Sequence, residues 1–182
     1  AISANELTVA ESLIGNWHQL ENNAIDQRLE LEDKLAHANK VEQSISQIKA
    51  GNNLQLVNIL GAFPQQEPEV IQGVLSDASI RQRLIGFYQE TVTQYLNEHD
   101  FNAASQRAAE GRSLLSESRK ESKILKLLAK KVEQQKSAYL KDLESLYKKQ
   151  LSEQEPDIQA VQKIQKKLLL VEPNSPVIQL PG

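Results

Sequence analysis

Residues 79–118 read SIRQRLIGFYQETVTQYLNEHDFNAASQRAAEGRSLLSES, two amphipathic patterns separated by four polar residues. In the first pattern, large apolar side chains recur at steps of three and four residues, which places them on one face of a helix: Leu84, Phe87, Tyr88, Val92, Tyr95 and Leu96. The pattern stops at residues 97–100, where short polar side chains compete for backbone hydrogen bonds, and Asp100 is suited to cap a second helix. The second helix carries small residues that allow close approach of another helix: Ala103, Ala104, Ala108 and Gly111. The stretch therefore predicts a helical hairpin.

The hairpin resembles a tetratricopeptide repeat over about one repeat length, Tyr88 to Ser116. Four residues match the aromatic positions of the repeat's first helix and the small positions of its second: Tyr88, Tyr95, Ala104 and Gly111. Three residues depart from the pattern, where a small residue, an aromatic residue and a proline are expected: Val92, Ala108 and Ser116. The resemblance implies a helical scaffold of the kind that binds other proteins, and it carries over no functional residue.

Composition predicts an all-α fold built from antiparallel helical hairpins or a bundle. Of the 182 residues, 40% are hydrophobic, 25% are charged and only 4% are aromatic, which is globular but poor in aromatics for a sheet protein. The absence of cysteine excludes disulfides, zinc–thiolate sites and thiol nucleophiles. No apolar run reaches the ~18 residues of a membrane span.

The N-terminal part of the chain carries two apolar stripes with helical spacing. The first stripe consists of Leu7, Ala10, Leu13, Ile14, Trp17 and Leu20. The second consists of Leu29, Leu35, Ala38, Val41, Ile45 and Ile48. We favour a break or kink at Asn22–Asn23 over the alternative of one long helix, and we expect Gly51 to form a left-handed C-terminal cap. Trp17 is expected to pack in a core as part of the first stripe, the alternative being an exposed interface anchor.

The sequence PQQEP at residues 64–68 is the clearest interruption in the chain, and Pro68 is suited to the first turn of a short helix that runs to Leu75. We therefore predict an N-terminal helical hairpin over residues 1–62 and a proline-containing turn or linker over 63–68. C-terminal hairpins follow over 69–173, and a tail occupies 174–182. The C-terminal hairpins are expected to include one long basic amphipathic helix over 119–151 and a last helix over 158–171.

Motifs that would indicate catalysis or cofactor binding are missing from the sequence. No two of the three histidines, His18, His37 and His99, stand three or four residues apart, so none forms a helical metal pair. His99 lies between Glu98 and Asp100, which we interpret as a solvated helix junction, with a metal site as the alternative. The glycines are isolated, and no nucleophile motif occurs. We predict a protein that is not an enzyme and that has no metal site and no cofactor.

Charge is distributed unevenly along the chain. Residues 1–98 hold six Lys/Arg and thirteen Asp/Glu, whereas residues 119–149 hold ten Lys/Arg and four Asp/Glu. Six of these cations share one narrow band of the predicted long helix, opposite its apolar stripe: Arg119, Lys123, Lys126, Lys130, Lys141 and Lys148. The band is either a solvated or intramolecularly paired face, or a docking face for an acidic protein, an anionic lipid head group or nucleic acid. Nucleic acid is the weakest of these because arginine is scarce, no aromatic is interleaved and the pI is about 5.7.

These patterns favour a non-catalytic protein–protein interaction or scaffold domain of a larger protein. Two binding surfaces are predicted, the basic helix face and a hairpin groove at Tyr88, Tyr95 and Phe101. The alternative is a structural coiled-coil-like domain that acts through self-association in a membrane-attached or secreted assembly. The first residues, AISAN, would suit a domain that follows a signal or anchor, which favours an extracytoplasmic or membrane-attached location.

Overall fold

The computed structural model describes residues 4–176 and residue 178, with the side chains of residues 4–7 and 10 left out. In this part of the chain, seven α-helices and one 3₁₀ turn are present and no strand occurs, which confirms the predicted all-α class. The elements in order are α1 (Ala4–Ala50), α2 (Asn53–Ala62), the 3₁₀ turn (Phe63–Gln65), α3 (Pro68–Ser76), α4 (Ala78–Asn97), α5 (Phe101–Leu114), α6 (Arg119–Leu151) and α7 (Ile158–Val171).

The chain divides into an N-terminal unit, Ala1–Asp77, and a C-terminal unit, Ala78–Gly182. This division differs from the predicted boundary at 63–68, because α3 packs on α1. The approach is close at Gly73, where a Cβ atom would lie 2.7 Å from Cγ2 of Val41. A side chain at position 73 would therefore force the two helices apart. The proline-containing segment is thus a corner inside the N-terminal unit.

Helix α1 is continuous through Asn22 and Asn23, so the favoured break there is wrong. An asparagine in a helix interior is less favourable than alanine by no more than about 0.7 kcal/mol, which does not end a helix that has no proline. Gly51 is also not a left-handed cap, because none of the described glycines has a positive φ. Its amide instead donates to the Gln47 carbonyl at 2.8 Å, and a capping box between Asn52 and Gln55 starts α2.

A cluster of charged side chains fixes the start of α3 to α1. Pro68 occupies the first turn of α3, as predicted, and Glu67 precedes it as the N-cap residue. The Glu67 carboxylate accepts a hydrogen bond from Lys40 Nζ at 3.0 Å and lies against Nε2 of His37. These two contacts, first Lys40 and then His37, lower the pKa of Glu67 below its ordinary value of 4.5.

The C-terminal unit buries the faces that the hairpin pattern predicts. The apolar residues of α4 that become buried are Leu84, Phe87, Tyr88, Val92 and Leu96. On α5, the buried residues are Phe101 and the small residues Ala104, Ala108 and Gly111. Helix α6 packs on α4, α5 and α7 through a stripe that buries Leu125, Leu128, Val132 and Leu143. Small residues on α5 thus allow three helices to share one core.

The turn between α4 and α5 satisfies the free backbone groups of both helices. The Asp100 amide donates to the Tyr95 carbonyl at 2.9 Å, and the His99 amide donates to the Leu96 carbonyl at 3.2 Å. His99 has a φ of 58°, the left-handed conformation that this type of helix ending requires. The Asp100 side chain accepts from the Ala103 amide at 3.0 Å, which confirms its predicted role as a cap.

Helices α6 and α7 match their predicted ranges of 119–151 and 158–171. Of the predicted tail, residues 174–176 and 178 are described, and Ser175 is buried at 1% exposure. The remaining tail residues lie outside the described part of the chain.

Gly111→Ala should destabilise the C-terminal unit. The new methyl group would lie 2.9 Å from ring atoms of Tyr88, which is itself buried and cannot move aside freely. Overpacking of this kind costs about 1–3 kcal/mol, more than the helix propensity that alanine adds. Gly86→Ala is the matched control, because nothing lies within 4 Å of its added Cβ. Thermal unfolding should show a lower Tm for Gly111→Ala and an equal or higher Tm for Gly86→Ala, and equal shifts in the two variants would contradict the close contact.

Glu67→Gln should lower stability at neutral pH. Because the folded pKa of Glu67 is lowered, its contribution is present above the unfolded value and is lost as the pH falls through the folded value. The difference in Tm between wild type and Glu67→Gln should therefore be largest near pH 7 and should shrink below pH 4. Glu69→Gln, two residues further along the chain and in none of the ion pairs among the described residues, is the control. A Tm difference that does not vary with pH would argue against this assignment.

Candidate interaction surfaces

The described residues contain no group of three or more His, Cys, Asp or Glu side chains that could hold a metal ion. His99 packs its ring against Tyr139, with centroids 4.4 Å apart, and edge-on to Phe101 at 6.1 Å. The imidazole thus takes part in an aromatic cluster where α6 meets the turn between α4 and α5. This contact gives His99 a packing role, in addition to its role in ending α4.

A polar cleft of about 360 Å³ lies in the N-terminal unit. Its lining combines amide and hydroxyl side chains with one ion pair: Lys40, Gln43, Ser44, Gln47, Gln65, Gln66, Glu67 and Val70. Glu67 and Lys40 bond each other there, and Gln66 Oε1 is buried without a partner. The arrangement includes no nucleophile paired with a base, so it does not indicate catalysis.

The six predicted basic residues of α6, here called the basic face, are all exposed. They lie on the side of α6 away from its buried stripe, and Lys126 and Lys130 border the contact with α5. None of the ion pairs within the described part of the C-terminal unit, among them Arg81–Glu121 and Arg107–Glu110, includes a member of the basic face. The basic face therefore presents cations that have no ion-pair partner among the described residues of its unit.

Helix α5 adds a cation to this surface that the sequence pattern did not reveal. Arg112 lines one shallow depression together with Lys126, Lys130 and Glu133. Glu133 reduces the positive charge there and accepts a hydrogen bond from Ser105 at 3.4 Å. The contribution of Arg112 depends on the packing of α5 against α6, so only the tertiary contact between these helices could identify it.

The predicted hairpin groove is not an open surface at Tyr88 and Phe101. These side chains are 2% and 3% exposed, because the α4–α5 contact and the Tyr139 ring cover them. Burial raises the pKa of Tyr88 to about 12. Tyr95 is half-buried. The small residues of α5 close the space that a groove would need.

The largest departure from the sequence interpretation lies on α1. Every described side chain from residue 8 to residue 36 is exposed, including Trp17 at 70%, so the expected core position of Trp17 is wrong. Nine large apolar side chains in this region are 49–70% exposed: Val9, Leu13, Ile14, Trp17, Leu20, Ile25, Leu29, Leu31 and Leu35. Burial begins only at His37 and Val41. The helix lengths account for this exposure. Helix α3, with 9 residues, can cover about 14 Å of α1, whereas α1, with 47 residues, extends about 70 Å.

Many of the apolar residues of α1 follow a heptad spacing. Steps of alternately four and three residues lead from position 13 to position 48, and we call this row the α1 seam: Leu13, Trp17, Leu20, Ala24, Gln27, Leu31, Lys34, Ala38, Val41, Ile45 and Ile48. Only Gln27 and Lys34 are polar. The seam is buried or half-buried from Val41 onward and bare before it. In the described part of the chain no helix, α1 included, is both long enough and apolar enough to cross a bilayer.

Comparisons of the chain with protein-family models, with curated proteins and with solved structures find no match. Function must therefore be inferred from the basic face and the α1 seam.

Addition of Zn²⁺ or of a nucleoside triphosphate should leave the Tm unchanged. A ligand at a hundredfold excess over its dissociation constant stabilises a folded protein by about 2.7 kcal/mol. Differential scanning fluorimetry with each ligand at millimolar concentration would detect such a shift. A reproducible rise in Tm with either ligand would contradict the prediction that the chain has no metal site and no cofactor.

Proposed function

We propose that this chain is a non-catalytic protein-interaction domain that binds an acidic partner through the basic face of α6. One observation carries the proposal: all six cations of the face are exposed, and none is paired with a described residue of the C-terminal unit. They extend from Arg119 to Lys148, a distance of about 44 Å along the helix. An acidic surface of another protein would supply the charges that this face lacks.

The spacing of these cations allows them to act together. Neighbours three or four residues apart on a helix have Cβ atoms roughly 5–6 Å apart, which is less than the screening length of about 8 Å at physiological salt. Lys123, Lys126 and Lys130 are one such group. A shared field of this kind accelerates association with an acidic partner more than it strengthens the final complex.

The resemblance of the α4–α5 hairpin to a tetratricopeptide repeat is part of this proposal. It is supported by the contact between Tyr88 and Gly111, which are two of the four matching positions. The proposal does not depend on a groove in the hairpin, because Tyr88 and Phe101 are buried.

The bare apolar residues of α1 favour a second function, that of a structural domain that acts through self-association. Contiguous exposed apolar surface in a soluble protein marks an interaction site. The exposed apolar residues of α1 from Val9 to Leu35 meet this description, and the heptad spacing of many of them is typical of helices that pair with other helices. The two functions use different units and are compatible.

The triple variant Lys123→Glu, Lys126→Glu and Lys130→Glu should abolish binding to an acidic probe without loss of stability. A fluorescein-labelled oligoglutamate peptide is a suitable probe, with fluorescence anisotropy as the readout and a salt titration to detect screening. Wild-type binding should weaken steeply as salt rises. Stability should change little, because exposed ion pairs contribute roughly 0–1 kcal/mol each.

A matched control tests whether position matters or only net charge. Lys120, Lys131 and Lys149 are exposed on the same helix but lie about 90° away from the basic face. Their replacement by Glu changes net charge equally and should retain most of the binding. Equal losses in both triple variants would contradict a defined docking face. Binding to phosphatidylserine vesicles without binding to the peptide would contradict an acidic protein as the partner and would indicate a lipid surface instead.

A further inference from the structure

We infer that α1 pairs with α1 of a second copy of this chain, in an antiparallel arrangement centred between residues 25 and 26. The inference rests on the second function proposed above and is independent of the basic face. It specifies the partner, the orientation and the register of the pair, all of which follow from the residues of the α1 seam.

The seam shows where an additional helix is required. Its last part is covered within the chain, with Val41 against Gly73 of α3 and Ile48 fully buried. The same heptad row continues toward the N-terminus without interruption in spacing, but Leu31 and Leu20 are 65% and 66% exposed. A row of one periodicity that is packed at one end and bare at the other indicates a missing partner helix along the bare part, from Leu13 to Ala38.

One antiparallel register gives every seam residue in this range a suitable neighbour. In that register, residues whose numbers add up to 51 face each other, so Leu20 of one copy lies opposite Leu31 of the other. Trp17 lies opposite Lys34, the only cation of the seam, whose stem and ammonium group can pack on the indole ring. The remaining pairs are Ala24 with Gln27 and Leu13 with Ala38. By two-fold symmetry each pair occurs twice.

The residues that flank the seam are also complementary in this register. Antiparallel helices bring the positions next to the seam on one side close to their equivalents in the other copy. Glu21 then lies near Arg28 of the second copy, a favourable pair of opposite charges. Ile14 lies near Leu35 of the second copy, and both are exposed apolar residues in the single chain. The register therefore covers apolar flanks that the seam alone does not cover.

Other arrangements are less favourable. A parallel pair in register places Lys34 against Lys34 and brings Glu30 next to Leu35. An antiparallel pair shifted by one heptad places either Glu21 or Arg28 against its own copy, depending on the direction of the shift. Each alternative thus has a like-charge contact or an unmatched flank. The register centred between residues 25 and 26 avoids both.

The mass of the full chain in solution tests self-association. Analytical ultracentrifugation should give twice the 20.4 kDa of one chain at micromolar concentration. Leu20→Glu with Leu31→Glu should give a monomer with an unchanged main unfolding transition, because both side chains are exposed in the single chain. Ile25→Glu with Leu29→Glu is the matched control, since these exposed apolar residues lie outside the seam and should leave the dimer intact. A wild-type monomer would overturn both the inference and the second proposed function.

Engineered cysteines test orientation and register separately, on a chain that has no native cysteine. In the antiparallel register, Leu13 lies opposite Ala38, whereas the two copies of Leu13 are about 37 Å apart along the axis. A disulfide requires Cα atoms within about 7 Å. A mixture of Leu13→Cys and Ala38→Cys chains should therefore form a covalent dimer under mild oxidation, and neither variant alone should do so. Rapid cross-linking of Leu13→Cys alone would show a parallel dimer, which would overturn the inference but leave self-association in place.

Discussion

The constraint on which the structure depends is that the apolar seam of α1 extends beyond the helices that cover it. Helix α3 contacts the end of α1 closely because Gly73 allows Val41 to approach, and α3 has only 9 residues. Transfer of apolar surface out of water is the main driving force for helix association. Trp17, Leu20 and Leu31 are exposed to water in the single chain. Their burial against another helix would therefore be strongly favourable. In this account, the uncovered length of α1 is a functional surface.

The C-terminal unit covers the apolar faces of its helices within one chain. Gly111 and the alanines of α5 allow α4 and α6 to approach, and the Tyr88 ring fills the space above the glycine. Apolar burial in this unit leaves the opposite face of α6 free for charge. The two units thus present different chemistry, an apolar seam on α1 and a cationic face on α6. The first is suited to helix pairing and the second to recognition of an acidic surface.

Local sequence signals predicted the parts of the fold that depend on neighbouring residues. Helices α6 and α7 have their predicted bounds, Asp100 caps α5, and Pro68 begins α3, because each feature follows from periodicity, capping or proline geometry. The wrong predictions concern features that depend on tertiary context. Asn22–Asn23 do not break α1, because exposed asparagines lower helix stability only slightly.

The exposure of the candidate surfaces also depends on tertiary contacts that the sequence pattern does not specify. The apolar pattern around Trp17 indicates a face that needs a partner, but it does not say whether that partner lies in the same chain, and core packing was the wrong choice. Tyr88 and Phe101 were predicted to line a binding groove, but both side chains are buried in the hairpin. The basic face was predictable because exposure of lysines on one side of an amphipathic helix follows from periodicity alone.

Fluorescence of Trp17 during dilution tests the central claim most directly. Trp17 is the only tryptophan, it lies in the α1 seam, and it is 70% exposed in the single chain, so its emission reports on the seam alone. If α1 pairs with a second copy, emission should be blue-shifted at high protein concentration and should move to the wavelength of water-exposed indole on dilution. The Leu20→Glu, Leu31→Glu variant should emit at that longer wavelength at every concentration. Emission of the wild-type chain at the water-exposed wavelength throughout the dilution series would contradict the account.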